Sequence, residues 1–281
     1  MKTDEKQIRH GVALLAVIIL ILAITGGYMA IDCYLVGDEV VTYGMANSTD
    51  KGWMLSTGRI RAYFEDEILT DSVAQTIQNI AAFGMDLAKN RRGAAYFSYP
   101  RPEECGWYGK EQISDWFSIR EDERLHLGDV YLNAMGDDAN SYLYYELVHL
   151  SGSLFPAISA TKWSAFLVNA VALVAVLLLL YGIAGYFTAD TKRQLLVCLL
   201  FGCSVGCLDL STYLRAYMLA MAFQLALLLV HLKLYQAMRD GMEKAVRRDI
   251  AGLLVLYPLG YIAHYTTGVW AVVLGLSLIH I

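Results

Sequence analysis

Acidic, cationic and aromatic side chains recur at a few places in this chain that could together move a proton and hold a phosphate. Asp38 and Glu39 stand side by side, Asp137 and Asp138 form a second acidic pair, and Arg215 lies between Tyr213 and Tyr217. His264 and Tyr265 form a further pair. A carboxylate can take a proton from an acceptor hydroxyl. A cation, either Arg215 or a bound metal, can stabilise a phosphate leaving group. Plainer roles stand beside these. Acids at the edge of an apolar segment are often solvated boundary residues, and Gly-Asp-Asp-Ala-Asn also reads as a turn. Arg215 can snorkel to headgroups from the end of a helix, whereas at mid-membrane it would cost about 2.5–3.5 kcal/mol. His264 also reads as a hydrogen-bonded helix-end histidine.

The elements that must position these groups are apolar and long. Of 281 residues, 57% are hydrophobic and only 17% charged, and the apolar residues are clumped rather than periodic. Residues 11–30 form a first uncharged run, long enough for a ~30 Å hydrocarbon core. Lys2, Lys6 and Arg9 precede it, which predicts a cytoplasmic N-terminus. A signal peptide is the competing reading; the run is long for one, and no A-x-A site follows. Further spans are expected over 163–187, over a short 195–210, over 213–235, from near Ile250, and after His264. Basic residues at Lys192 and Arg193, and again at Arg239, Lys244, Arg247 and Arg248, mark cytoplasmic connections. The region 31–162 carries 20 acidic and 11 basic residues, against 7 and 11 in the remainder, so it is expected outside the membrane.

That region is too long to be a mere connection. Residues 70–90 read as an amphipathic helix, capped by Thr70 or Asp71, with Val73, Ile77, Ile80 and Met85 at roughly helical spacing. Trp107, Trp116 and Phe117 supply aromatic bulk for a small core or a membrane-facing surface. Residues 142–155 are apolar but short for a span, so they are expected as a helix at the outer interface.

Other chemistry is sparse. Cys33 and Cys105 fall in the outer loop, where a disulfide can form but free thiols are equally admissible. Cys198, Cys203 and Cys207 have no metal-ligand spacing and read as small apolar residues. Asn47-Ser48-Thr49 fits a glycosylation sequon, a pattern short enough to arise by chance. No CxxC, P-loop or GxGxxG occurs, and nothing in the composition calls for a nucleic acid.

The order of motifs resembles the GT-C class of membrane glycosyltransferases, in the branch of protein O-mannosyltransferases and lipid A aminoarabinose transferases. That class has an acidic pair after the first span, a large outer loop ending in D-x-H-P-P-L-Y-Y, an aliphatic span, a short span, an A-R-x-Y start and a His-Tyr pair. Here the corresponding residues are Asp38-Glu39, the stretch Asp138-Ala139-Asn140-Ser141-Tyr142-Leu143-Tyr144-Tyr145, then Leu214-Arg215-Ala216-Tyr217, then His264-Tyr265. Asn140, Ser141 and Tyr142 replace His-Pro-Pro, and Tyr213 stands where a Glu often precedes Ala-Arg. The resemblance implies an all-α polytopic membrane protein, with a GT-C-like transmembrane bundle and a large extracytoplasmic first loop containing amphipathic helices. It implies a polyprenyl-phosphate sugar as donor and inversion at the anomeric carbon. Asp38 would be the base, with Glu39 as its alternate, and Arg215 would hold the donor phosphate. Asp138 would orient the acceptor or, with Asp38, help hold a divalent metal. Tyr217, Asn140, Tyr144 and His264 would line the substrate site.

A non-catalytic membrane protein with a ligand-binding outer loop is the alternative, and a transporter the third reading; no internal repeat favours the latter. The chain stops inside an apolar run beginning near Val269, which predicts a fragment of a longer protein.

Overall fold

The computed structural model describes residues 2–31, 35–47, 64–90, 109–134 and 141–279, and these are helical, with no strand among them. The helices are α1 (Lys2–Ile31), α2 (Gly37–Asn47), α3 (Val73–Asn90), α4 (Lys110–Phe117), α5 (Leu127–Ala134) and α6 (Tyr142–Leu154). They continue as α7 (Lys162–Phe187), α8 (Thr191–Gly202), α9 (Val205–Thr212), α10 (Tyr217–Arg239), α11 (Glu243–Ala263) and α12 (Thr266–Ile279).

Three helices are long and apolar enough to cross a membrane: Ile8–Ile31 within α1, α7, and α10. A fourth crossing needs α8 and α9 taken together, and these are bent by 61° at Cys203-Ser204. The expected short third span is therefore a broken one or a re-entrant loop. Its break has a local cause: Ser204 caps α9 by accepting the Cys207 N–H at 3.0 Å, which starts a new helix in a new direction. The helix expected from near Ile250 begins earlier, in the charged stretch Glu243, Lys244, Arg247, Arg248 and Asp249. Its apolar part is correspondingly short, and α11 is not among the three. α12 is a shorter apolar helix.

Two layers of packing follow. α7 lies at the centre of the apolar helices and contacts α1, α6, α8, α9 and α10. Ile18 and Ile21 of α1, Leu173 and Leu177 of α7 and Met218 of α10 form their shared core. Gly202 is required at the α1–α8 crossing, because a Cβ there would overlap the side chain of Ile21. The opposite faces remain apolar and bare. Leu15 and Ile19 on α1, and Val171 on α7, are more than half exposed, the pattern of surfaces covered by hydrocarbon chains.

A second core joins α2, α4, α5 and α6 to the start of α7, through Tyr43, Trp116, Phe117, Val130, Tyr144, Val148 and Phe166. Trp116 and Phe117 thus pack inside protein, while Trp107 lies outside the described residues. α6 is buried against α2, α5, α7 and α11. Asn47 is 1% exposed and its amide donates to the Phe117 carbonyl at 2.7 Å, so the asparagine of the sequon is a core residue here, not a surface acceptor for sugar. Cys33 and Cys105 lie outside the described residues; Cys198 and Cys207 are buried free thiols.

Candidate functional site

The residues singled out in the sequence meet where the chain leaves helix between α9 and α10. Residues 213–216 form this break, and its main-chain groups need partners that a helix would otherwise supply. Side chains from two distant helices supply them. Asn169 of α7 donates through its amide nitrogen to the carbonyls of Ser211 at 3.1 Å and Tyr213 at 2.9 Å. Thr42 of α2 donates to the Leu214 carbonyl at 2.9 Å, and Glu39 accepts the Leu214 N–H at 2.9 Å. Leu214 itself is fully buried.

This latch separates the two adjacent acids. Glu39 is 5% exposed, and its second oxygen accepts the Val36 N–H at 2.9 Å, closing the first turn of α2. Both oxygens are committed to main-chain donors. Asp38, one position earlier and on the other side of the helix start, is exposed. Its carboxylate accepts the Tyr213 hydroxyl at 2.8 Å. Burial and that hydrogen bond push the Tyr213 phenol up to about 12, so it stays protonated at neutral pH and keeps orienting Asp38. Of the two acids, Asp38 is the one a substrate can reach.

Arg215 completes the arrangement. Its Nη1 donates to the Asp38 carbonyl at 3.3 Å and to the Tyr145 hydroxyl at 3.2 Å. It is half-buried and hydrogen-bonded at the break. Tyr217 stacks on Tyr213 with ring centroids 5.9 Å apart and planes 9° apart. His264 tilts against Tyr217 at 5.3 Å, and Tyr265 stacks on His264 at 4.6 Å. The His264 Nδ1 lies 2.8 Å from the Thr266 hydroxyl and accepts the Thr266 N–H at 3.3 Å, so its proton is on Nε2.

Asp38, Arg215, Tyr217 and His264 are thus brought to one place. Glu39 reaches the same place but is buried as a main-chain anchor. Tyr144 is a correction. It is fully exposed to nothing but protein, at 0% accessibility, and burial holds its phenol well above its usual range. A substrate cannot touch it here; its neighbour Tyr145 is the tyrosine that reaches Arg215. Asp137, Asp138 and Asn140 lie outside the described residues. Among the described residues, no three of His, Cys, Asp and Glu are grouped so as to hold a metal ion.

One cavity borders the site, and a second runs along the apolar helices. The first, of about 400 Å³, is bordered by Tyr28, Glu39, Asp209, Thr212 and Tyr213. Asp209 is exposed there, an acid concealed from sequence reading inside an expected span. The other, of about 430 Å³, is an apolar groove between α6, α7, α10 and α11, walled by residues such as Leu147, Leu150, Val171, Leu219, Phe223 and Leu256. It opens along the apolar helices a few residues from Tyr145 and Tyr217.

Comparison with protein-family models, with curated proteins and with solved structures found no match.

Proposed function

We propose that this chain is a multi-pass membrane glycosyltransferase of the GT-C kind. In this reading it moves a sugar from a polyprenyl-phosphate donor to a hydroxyl of a lipid, glycan or protein acceptor at the extracytoplasmic face of a cell membrane. The observation that carries the reading is the docking of Arg215 on the main-chain carbonyl of Asp38, 177 positions away, with the exposed Asp38 carboxylate held by Tyr213 and an apolar groove running between the helices that carry Tyr145 and Tyr217. A lipid-linked donor needs those features together: a cation for the phosphate, a base nearby, and a hydrocarbon-lined path for the tail.

Asp38 takes the proton of the acceptor hydroxyl as that oxygen attacks the anomeric carbon. The bond from that carbon to the phosphate oxygen breaks, and the polyprenyl phosphate leaves with its charge against Arg215. The carboxylate also lies near an oxocarbenium-like transition state and offsets its positive charge. Glu39 acts through position only, by fixing the break that carries Arg215. A divalent ion held by Asp38 and Asp138 would assist the phosphate. The charge balance supports an N-terminus in the cytoplasm, with 31–162 outside.

A binding-only relative is the second reading, favoured by the hydrogen bonds that already hold Arg215 to Asp38 and Tyr145. Transfer separates the two. Membranes carrying the protein, supplied with polyprenyl-phosphate sugars labelled in the sugar, should yield labelled acceptor and free polyprenyl phosphate. Retention of donor without release, across a panel of sugars, supports binding alone.

A further inference from the structure

The cavity of about 400 Å³ beside the break offers a ligand mostly one kind of hydrogen-bonding group. Tyr28 of α1, Glu39 of α2, Asp209 and Thr212 of α9, and Tyr213 border it. The protons on its walls are largely spent. The Thr212 hydroxyl donates to the Leu208 carbonyl at 2.9 Å, and the Tyr213 hydroxyl donates to the Asp38 carboxylate at 2.8 Å. Both oxygens of Glu39 are taken by main-chain N–H groups. Asp209 is exposed, and a carboxylate only accepts. The Tyr28 phenol is left to donate or accept. No lysine, arginine or histidine stands among the described residues that border the cavity. Arg215, the cation of the site, is docked instead on the Asp38 carbonyl and the Tyr145 hydroxyl.

We propose that this cavity binds a hydroxyl-rich ligand without negative charge, a neutral glycan, and that Asp209 sets the choice. Sugar hydroxyls can donate to the oxygens of Asp209, Thr212 and Tyr213. Phosphate and carboxylate oxygens only accept, so they would meet oxygens that also only accept. Repulsion between like charges adds to that mismatch. The volume falls within the range of about 300–1,000 Å³ common to small-molecule sites. Tyr213 both borders the cavity and holds the Asp38 carboxylate, so a ligand seated here lies one side chain away from that acid. Its role as the acceptor rests on the transferase reading above; its binding does not.

Maltotriose and chitotriose, each compared with its 6-phosphate, serve as probes for the full chain held in nanodiscs, with dissociation constants read by saturation-transfer NMR. Each neutral sugar should bind at least about tenfold more tightly than its phosphate. In Asp209→Asn, whose amide can donate as well as accept, that ratio should fall at least about threefold, with the unfolding temperature unchanged. The comparison within the parent protein stands whether or not the variant folds. Equal or tighter binding of the phosphates by the parent overturns the proposal. So does a ratio unchanged in folded Asp209→Asn, and so does failure of both neutral sugars to bind. The expected preference without transfer from any donor sinks the transferase reading and leaves the cavity assignment in place. Transfer with a ratio unchanged in Asp209→Asn does the reverse.

Discussion

Glu39 accepts the main-chain N–H of Leu214 at 2.9 Å across 175 positions of sequence. That bond, with the Thr42 and Asn169 contacts, makes the break between α9 and α10 a built feature rather than a frayed helix end. It also assigns different work to two adjacent acids, and the predictions below separate them.

Asp38→Asn should insert and fold normally, since the amide oxygen can still accept from Tyr213. Transfer should fall at least ~100-fold, the usual scale for loss of a general base. Parental turnover in this variant removes Asp38 from the chemistry.

Glu39→Gln should behave in the opposite way. One of two main-chain donors, the buried one at Leu214 or the part-buried one at Val36, loses its acceptor, and loss at Leu214 costs about 1–3 kcal/mol. Thermal unfolding in detergent should shift down for Glu39→Gln and stay in place for Asp38→Asn. Equal unfolding temperatures in the two variants would show that the latch contributes no stability.

Arg215→Lys keeps the charge and loses the fork. Donor binding, measured with a polyprenyl phosphate by titration calorimetry, should weaken about tenfold if two nitrogens grip one phosphate. Unchanged affinity means that Arg215 serves only its contacts with Asp38 and Tyr145.

His149 of α6 places both ring nitrogens against carbonyls, Nδ1 2.8 Å from Ala46 and Nε2 3.1 Å from Glu123. A neutral ring can donate to only one of them. Burial nevertheless lowers its pKa below the ordinary histidine value, outweighing the two carbonyls. The unfolded chain therefore binds the proton more readily, and stability should fall as pH drops below about 6.5. His149→Gln should flatten the dependence of unfolding temperature on pH between about 7.5 and 5.5. A slope unchanged in the variant assigns the titration to another group.

Sidedness is open to an impermeant thiol reagent. In a background without native cysteines, Ser114→Cys should label in intact cells and Ala245→Cys should not. Ser114 is exposed, which makes it a better reporter than Ser141, 3% exposed at the start of α6. Labelling at position 245 alone would invert the proposed orientation.

Much of the frame was legible because apolar runs announce themselves by length. The runs at 11–30 and 163–187 lie within α1 and α7. Residue types also pointed to Asp38 and Arg215, since charge beside an apolar segment is conspicuous. What could not be read was which of two adjacent acids is spent on the main chain. That depends on where α2 starts and on which N–H groups its first turn faces. Asn169 and Thr42 were invisible for a related reason. They bond to carbonyls at a break that sequence reading took for the start of a continuous span. Tyr144 and Tyr145 are both buried in the same core, and rotation about α6 turns only the Tyr145 hydroxyl to Arg215. The bend at Cys203-Ser204 was hidden by apolar neighbours on both sides.

Every bond in the latch over residues 211–214 ends on a main-chain atom of that segment: two carbonyls for Asn169, one for Thr42, one N–H for Glu39. None depends on what side chain residues 213 or 215 carry. Heritable change can therefore strip the arginine or the tyrosine from this break and leave the scaffold standing. Loss of chemistry and loss of fold are separate events in such a lineage, and a descendant without activity would keep the same outline.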